Sequence, residues 1–477
     1  MKKDTPKKHD HKDKKSAPIK IAEPLTVDRR SRTDRKDEGK AMRLAVPLAS
    51  HAQWQAPANR RDPVDTLIES GVGRVPELLP IRYGRMMQSP FAFYRGAAAI
   101  MAADLAGLPS TGIRVQACGD CHLVNFGSFA TPERRQVVGI NDFDETLPAP
   151  WEWDVKRLAA SFVVAGRNNG FTAEEARASA QACARSYREH MREFAKMGVL
   201  DVWYYSIDME AWLEQIEDET AKARSKKRFA KARDRNVLDE DFPELVTFED
   251  GVHRIRDNPP LIFHLQGEDE AMLEARVREA FERYRATLAE DKRLLLDRYE
   301  FKDIAMKVVG VGSVGTRCSI ILMMGGADDP LFLQVKEARA SVLEPYAGQS
   351  IYPNHGQRVA MGQRLMQSSS DIFLGWTETV KGHFYIRQMR DMKVKPLVEL
   401  FGPAVMNQYA EMAAWALASA HARSGDAAKI AGYLGKKEDF DEALADFSES
   451  YADQNELDYK ALVQAVQKGR LEVYLER

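Results

Sequence analysis

Residues 310–315 read Gly-Val-Gly-Ser-Val-Gly, and the segments flanking this G-x-G-x-x-G decide what the chain can become. A dinucleotide-binding fold needs the motif to leave a strand and open a helix. Here the following stretch, Thr316 to Met323, carries Cys318, Ile320 and Ile321 and has the texture of a strand. The glycines therefore lie in a hairpin, which excludes the dinucleotide arrangement.

Around that hairpin the pattern is of short strands with Gly, Asp or Lys at the turns: Met306 to Val309, Ser319 to Met323, Leu331 to Val335, Ile372 to Trp376 and Phe384 to Met389. They predict a small antiparallel sheet, interrupted by one helix from Gln357 to Met366. Elsewhere the period is helical. Ser89-Pro90 suits the start of a helix, with serine as cap and proline in the first turn. Asp154 is placed to cap Val155 to Ala165, and Thr172-Ala173-Glu174-Glu175 is a capping box. Lys222 to Arg235 is strongly basic, and Glu268 to Asp297 reads as one long amphipathic helix. A further helix runs from Pro403 to a stop at Gly425. The first 45 residues are rich in Lys, Arg and Asp, too poor in large apolar groups to fold alone, and are expected to be a disordered charged tail.

Four cysteines in 477 residues are too few for a disulfide scaffold. Cys118-Gly119-Asp120-Cys121 has no second pair to complete a zinc site, so the two cysteines read as small side chains flanking Asp120 in a turn. No apolar run approaches the roughly 18 residues of a membrane span, and Met1-Lys2-Lys3-Asp4 leads into charge rather than a secretory signal. The expected location is the cytoplasm. A net charge of −2 gives no general reason to bind nucleic acid, the basic tail apart.

The chemistry-bearing residues concentrate between Gly119 and Glu145. Asp120, His122 and Asn125 occupy the turn after one strand (Ile113, Val115, Ala117), and Asp142 and Asp144 follow the next (Val137 to Ile140). Oxygen ligands at the ends of adjacent strands suit a hard cation such as magnesium. His122 reads as a hydrogen-bonding prop for the turn. The bland alternative is a pair of Asp- and Asn-bearing turns.

Gly119-Asp120-x-His122-x-x-Asn125 resembles the catalytic loop of aminoglycoside phosphotransferases and choline kinases, in which the aspartate meets the acceptor hydroxyl and the asparagine binds magnesium. Asp142-Phe143 looks like their second magnesium motif. Asn141 stands where that motif has an apolar residue, so either Asp142 or Asp144 could be the main ligand. A glycine loop between two strands is also the kinase form, in which the loop covers ATP phosphates. That form asks for a lysine on the third strand, and Phe332-Leu333-Gln334-Val335-Lys336 supplies it. The resemblance implies that Gly310, Gly312, Ser313, Gly315 and Lys336 bind the nucleotide. It also implies a carboxylate to orient Lys336; Glu344 is the first candidate and Glu337 the second, the helix 357–366 having no acidic residue. In ordinary kinases the glycine loop and lysine precede the catalytic aspartate, whereas here they follow it. The segments keep the cyclic order that a circular permutation requires.

The fold expected is α+β, a kinase-like two-lobe arrangement in circularly permuted order. Residues 46–300 would form a helical lobe with the catalytic and metal motifs, 301–395 a β-rich nucleotide lobe, and 396–477 helices completing the first lobe. The whole chain from about Asp62 also resembles the bacterial family named domain of unknown function 2252. The resemblance is carried by Leu79-Pro80-Ile81-Arg82-Tyr83-Gly84-Arg85-Met86, Ser89 to Gly96, Gly119 to Gly127, Asn141 to Thr146 and Trp151-Glu152-Trp153-Asp154-Val155-Lys156-Arg157. The expected function is an ATP- and magnesium-dependent phosphotransferase, with Asp120 and Lys336 catalytic and Asn125, Asp142 and Asp144 on the metal. The acceptor is an unread small-molecule or protein hydroxyl. Nucleotidyl transfer on the same parts, a metal-dependent phosphoesterase and a non-catalytic nucleotide-binding protein are the alternatives.

Overall fold

A computed structural model describes residues 20–234, 242–249, 251–259, 261–264, 270–308, 310, 312, 314–326, 329–389 and 393–475. The architecture is mixed α and β, with several antiparallel sheets set beside a body of helices.

The largest sheet has six strands: β5 (Ile262–Phe263), β6 (Glu300–Lys307), β7 (Cys318–Met324), β8 (Pro330–Ala338), β9 (Gly375–Thr379) and β10 (Gly382–Gln388). Their spatial order is β9-β10-β8-β7-β6-β5, every pair antiparallel. The glycine motif connects β6 to β7, and β8 sits centrally, with Lys336 opposite Cys318 on one side and Tyr385 on the other. Both faces are covered, since Leu331 and Leu333 pack with Tyr284 and Phe373 while Phe332 packs with Ile320 and Met389. That explains why these strands read as near-continuous apolar runs. Helix α4 (His355–Met366) crosses between β8 and β9; Asn354 caps it by accepting from Gln357 N at 3.2 Å.

The helical body is built around α2 (Trp151–Asn168), α3 (Ala173–Phe194), α5 (Pro403–Ser424) and α7 (Asp439–Gln467). Helix α2 is buried on all sides from Trp151 to Gly166, as befits a helix at the centre of a layered core. Small residues on α5, among them Ala410, Ala413, Ala414 and Ala418, are buried and let α3 lie close. The capping box at Thr172 and Glu175 is formed. Two smaller sheets sit on this body: β1 (Arg114–Ala117) with β4 (Leu147–Pro150), and a three-stranded one in which β3 (Gln136–Ile140) pairs with β2 (Phe126–Ala130) and with Ile207–Asp208.

Four sequence expectations are corrected. The tail expected to be disordered to residue 45 contains helix α1 (Arg32–Ala41), capped by Ser31; its residues 1–19 lie outside the described ones. Helix α1 docks on α6 (Ala427–Leu434) because neither contact residue has a side chain: a Cβ on Gly39 would collide with the Lys429 carbonyl, and one on Gly432 with that of Lys36. The helix expected from Glu268 to Asp297 is two, Glu270–Ala286 and Glu290–Leu296. The break is stabilised where the Thr287 hydroxyl donates to Tyr284 O at 2.7 Å. The β-rich part begins before residue 301, since β5 pairs with β6 and so supplies the sheet's edge. Finally, α2 starts at Trp151, after Pro150, which releases Asp154 from capping for a different task.

Candidate functional site

One cleft is lined by both segments singled out in the sequence: Asp120, Asn125, Asp142 and Asp144 from the helical body, with Gly310 and Gly312 from the β6–β7 connection. Its floor is the turn after β1. Gly119 takes φ +83° there, and a Cβ would meet the Glu145 carbonyl; glycine is the residue that tolerates both demands. The turn is fixed from below by Asp154. Its Oδ2 accepts from Cys118 N at 2.6 Å and its Oδ1 from Gly119 N at 3.0 Å. Asp154 is 1% exposed and also meets His421 Nε2 at 3.2 Å, whose Nδ1 in turn lies 2.8 Å from the Tyr187 hydroxyl. A buried carboxylate satisfied by two amides and an imidazole holds the loop far more firmly than a surface cap would.

Within the loop, Asn125 Nδ2 donates to Asp120 O at 2.7 Å. Asp120 Oδ1 accepts from Arg157 Nε and Nη2 at 2.9 and 2.5 Å, which leaves Oδ2 facing the cleft. A Cβ on Gly312 would stand 3.9 Å from that oxygen, so the glycine connection lies directly against the loop. Burial raises the Asp120 carboxyl above its usual value, against the pull of Arg157. His122 is not the prop expected. Its backbone makes the turn, accepting from Asn125 N at 2.9 Å, while its ring Nδ1 meets no partner. Burial, with Arg95 and Arg157 nearby, keeps that ring well below the ordinary imidazole value and therefore neutral.

Lys336, 192 positions beyond Asp144, donates from Nζ to Asp144 Oδ2 at 2.8 Å and lies 3.8 Å from Asp142 Oδ1. The Tyr385 hydroxyl on the neighbouring strand donates to Asp144 Oδ1 at 2.6 Å. Burial works to raise Asp144, but Lys336 and Tyr385 outweigh it and hold the carboxyl at about 2. Asp142 is pushed up, by burial and by the adjacent Asp144 charge. Lys336 stays charged: burial opposes the ammonium, and the two carboxylates more than offset it.

Glu344 is not the partner of Lys336. It opens the short helix Glu344–Ala347 and approaches His355 Nδ1 at 3.8 Å, while Glu337 is engaged by Arg317 at 3.1 Å. Glu337 directly follows Lys336 on β8, and successive side chains on a strand point to opposite faces. Gly315, at φ +87°, anchors the end of the glycine connection by accepting from Val75 N at 2.7 Å. Ser313 lies outside the described residues.

Several residues of the site carry no local signal in the sequence. Arg358 on α4 donates to Asp144 O at 2.8 Å, Arg339 O at 2.7 Å and Thr146 O at 2.6 Å, clamping the acidic turn to the end of β8. Arg157 and Asp154 lie in the Trp151–Arg157 motif, which was legible as a motif but not as the support of the turn.

Among the described residues, no three His, Cys, Asp or Glu side chains are gathered to hold an ion. Asn125, Asp142 and Asp144 nevertheless share the cleft, and one amide with two carboxylates is the oxygen donor set that magnesium takes alongside waters and phosphate oxygens. No helix among the described residues is long and apolar enough to cross a membrane.

Among known families, the one described as "Uncharacterized protein conserved in bacteria (DUF2252)" matches residues 74–465. No curated protein and no solved structure matches the chain.

Proposed function

The chain belongs to the DUF2252 family, and from the geometry of its cleft we propose that it is an ATP- and magnesium-dependent phosphotransferase acting on a hydroxyl group. The observation that carries this reading is the meeting of Lys336 with Asp144 at 2.8 Å, beside a glycine connection that lies against Asp120. A glycine turn between the first two of three consecutive strands, with a buried lysine on the third, is the kinase form of a phosphate site. That the lysine faces the carboxylates of a distant segment favours the permuted two-lobe arrangement.

In this reading Lys336 and the amides around Gly310 to Gly315 hold the donor phosphates. Asn125, Asp142 and Asp144 would hold magnesium, which supplies positive charge to the phosphate oxygens when bound. Asp120 Oδ2 accepts a hydrogen bond from the acceptor hydroxyl, orients its oxygen, and takes its proton as the new O–P bond forms and the bond to the leaving ADP oxygen breaks. Arg157 keeps Asp120 in place. Positioning and charge neutralisation are most of what phosphoryl transfer requires.

The test is thermal unfolding with a non-hydrolysable ATP analogue, with and without magnesium. Saturation at about 100 times the dissociation constant gives about 2.7 kcal/mol of stabilisation, and the shift is expected only with the metal. Asp120→Asn should retain that shift and lose about 10²- to 10⁴-fold in ATP turnover. A shift in wild type with no turnover under any acceptor would indicate a nucleotide-binding protein without catalysis. No shift, with hydrolysis of a generic phosphate ester, would indicate a phosphoesterase.

A further inference from the structure

The cleft has a second charged wall, made by residues 70–99 and independent of Lys336. Ser70, Arg74, Arg82, Arg95, Gly96, Ala98 and Ala99 all line it. Two of the guanidiniums that face this wall are spent on the protein itself: Arg74 donates to Ser70 O at 3.1 Å and Val314 O at 2.7 Å, and Arg339 to the Ser70 and Val72 carbonyls. Arg82 is different. It is 2% exposed, and its Nη2 donates to Gly96 O at 3.2 Å, but its Nε and Nη1 have no hydrogen-bond partner. Arg95 Nε is also unpartnered.

The bond to Gly96 sets this buried fork beside the start of helix Ala98–Ala106, which has no side-chain cap. The first amides of a helix point outward without intrahelical acceptors and carry partial positive charge, and with an arginine fork they make an oxyanion cradle. The carboxylates of Glu145 and Asp120 offset part of these charges, but donor positions left unfilled in a buried site are expensive, so the arrangement is explained by a ligand that fills them.

Resting on the phosphotransferase reading, we propose that the acceptor is itself a small phosphorylated molecule. Its phosphate monoester sits on Arg82 Nε and Nη1, Arg95 Nε and the amides of Ala98 and Ala99, and its free hydroxyl is turned toward Asp120. The donor phosphates belong to Lys336 and the glycine connection, which abuts this wall where Arg74 donates to Val314 O and Gly312 approaches Arg95 O. A cavity of about 210 Å³ suits a small acceptor. The product is then a bisphosphorylated compound, with the transferred group on the hydroxyl and the original ester untouched.

The experiment measures thermal shifts with inorganic phosphate, with the magnesium-bound ATP analogue, and with both, on wild type, Arg82→Met, Arg95→Gln and Lys336→Ala. Phosphate should stabilise wild type and Lys336→Ala alike, and its effect should add to that of the nucleotide. Its affinity should fall at least about tenfold in Arg82→Met and in Arg95→Gln, the loss expected of a charge-assisted pair. Arg82→Met should be no less stable than wild type without phosphate, since it removes an unpaired buried charge; if it fails to fold, Arg95→Gln at the half-buried rim carries the test. Competition between phosphate and nucleotide would overturn the proposal by assigning this wall to the donor. So would a phosphate shift that survives both arginine substitutions, or none in wild type. If phosphate behaves as stated and the nucleotide analogue never binds, the anion site stands and the phosphotransferase reading falls with its acceptor.

Discussion

Lys336 and Arg82 are both buried cations at one cleft, and the protein treats them in opposite ways. Lys336 has two carboxylates of its own, at 2.8 and 3.8 Å, and a tyrosine ring 5.4 Å from its ammonium. Arg82 also lies over a tyrosine ring, that of Tyr83 at 5.9 Å, but has one backbone carbonyl and two empty donor positions. The first wall is neutralised by the chain itself, so under the proposed function ligand binding there would be an exchange of partners, the lysine passing from carboxylate to phosphate and the carboxylates to a cation. The second wall has nothing to exchange and gains its counter-charge outright. The lesson is that burial alone does not identify a binding cation; the accounting of its donors does.

The contrast can be sharpened by removing one charge at a time. The largest effect is expected at Asp154, the anion that resembles Lys336 in being fully satisfied. Asp154→Ala strips acceptors from two buried amides and from His421, and should cost about 3–5 kcal/mol in denaturant unfolding. Lys336→Met comes next. It leaves Asp142 and Asp144 facing each other, and should cost about 2–3 kcal/mol, below the usual range for a broken buried pair because Asp144 is 25% exposed. It should also weaken nucleotide binding by about ten- to a hundredfold.

A smaller effect is written in pH. Asp144 is held at about 2 against an ordinary 3.8, so its contribution is present above pH 4 and is lost as pH falls from about 4 to about 2. Asp142 is shifted the other way and offsets part of it, so the net change is smaller than that of Asp144 alone. Unfolding midpoints of wild type and Asp144→Asn should converge below pH 2; parallel profiles would break the assignment of Lys336 to Asp144. The smallest change is the most telling. Arg82→Met should stay within about 1 kcal/mol of wild type or exceed it. A loss as large as that of Lys336→Met would mean that Arg82 is structural and that the contrast between the walls is false.

What could be read from the sequence was whatever is decided locally. Glycines followed by a strand define a hairpin, aspartates after short strands define turns, and Thr172 with Glu175 defines a helix start. What could not be read was every partner drawn from another segment. Asp154 read as a cap because an aspartate before an apolar run usually is one; Pro150 had already fixed the boundary, and the carboxylate was free to hold residues 118–119. Glu344 was sought as the partner of Lys336 within the same stretch, whereas the partner is 192 positions away. Helix α1 looked unfoldable by composition because its stability comes from a reciprocal glycine contact with α6. No pattern of residues shows which donors of Arg82 will be left empty.

The wide separation of Asp154 from His421, 267 positions, also constrains how the molecule comes into being. A chain leaves the ribosome from its N-terminus and begins folding in that order. The turn bearing Asp120 is made early, while the lysine that balances Asp144 arrives later and the imidazole beneath Asp154 later still. Until residue 336 has emerged Asp144 lacks its counter-charge, and until residue 421 has emerged the core lacks much of helix α5. The sheet from β5 to β10 is complete once residue 388 has emerged, before helix α5 is made. The complete cleft therefore appears only near the end of translation, and an incomplete product should lack it.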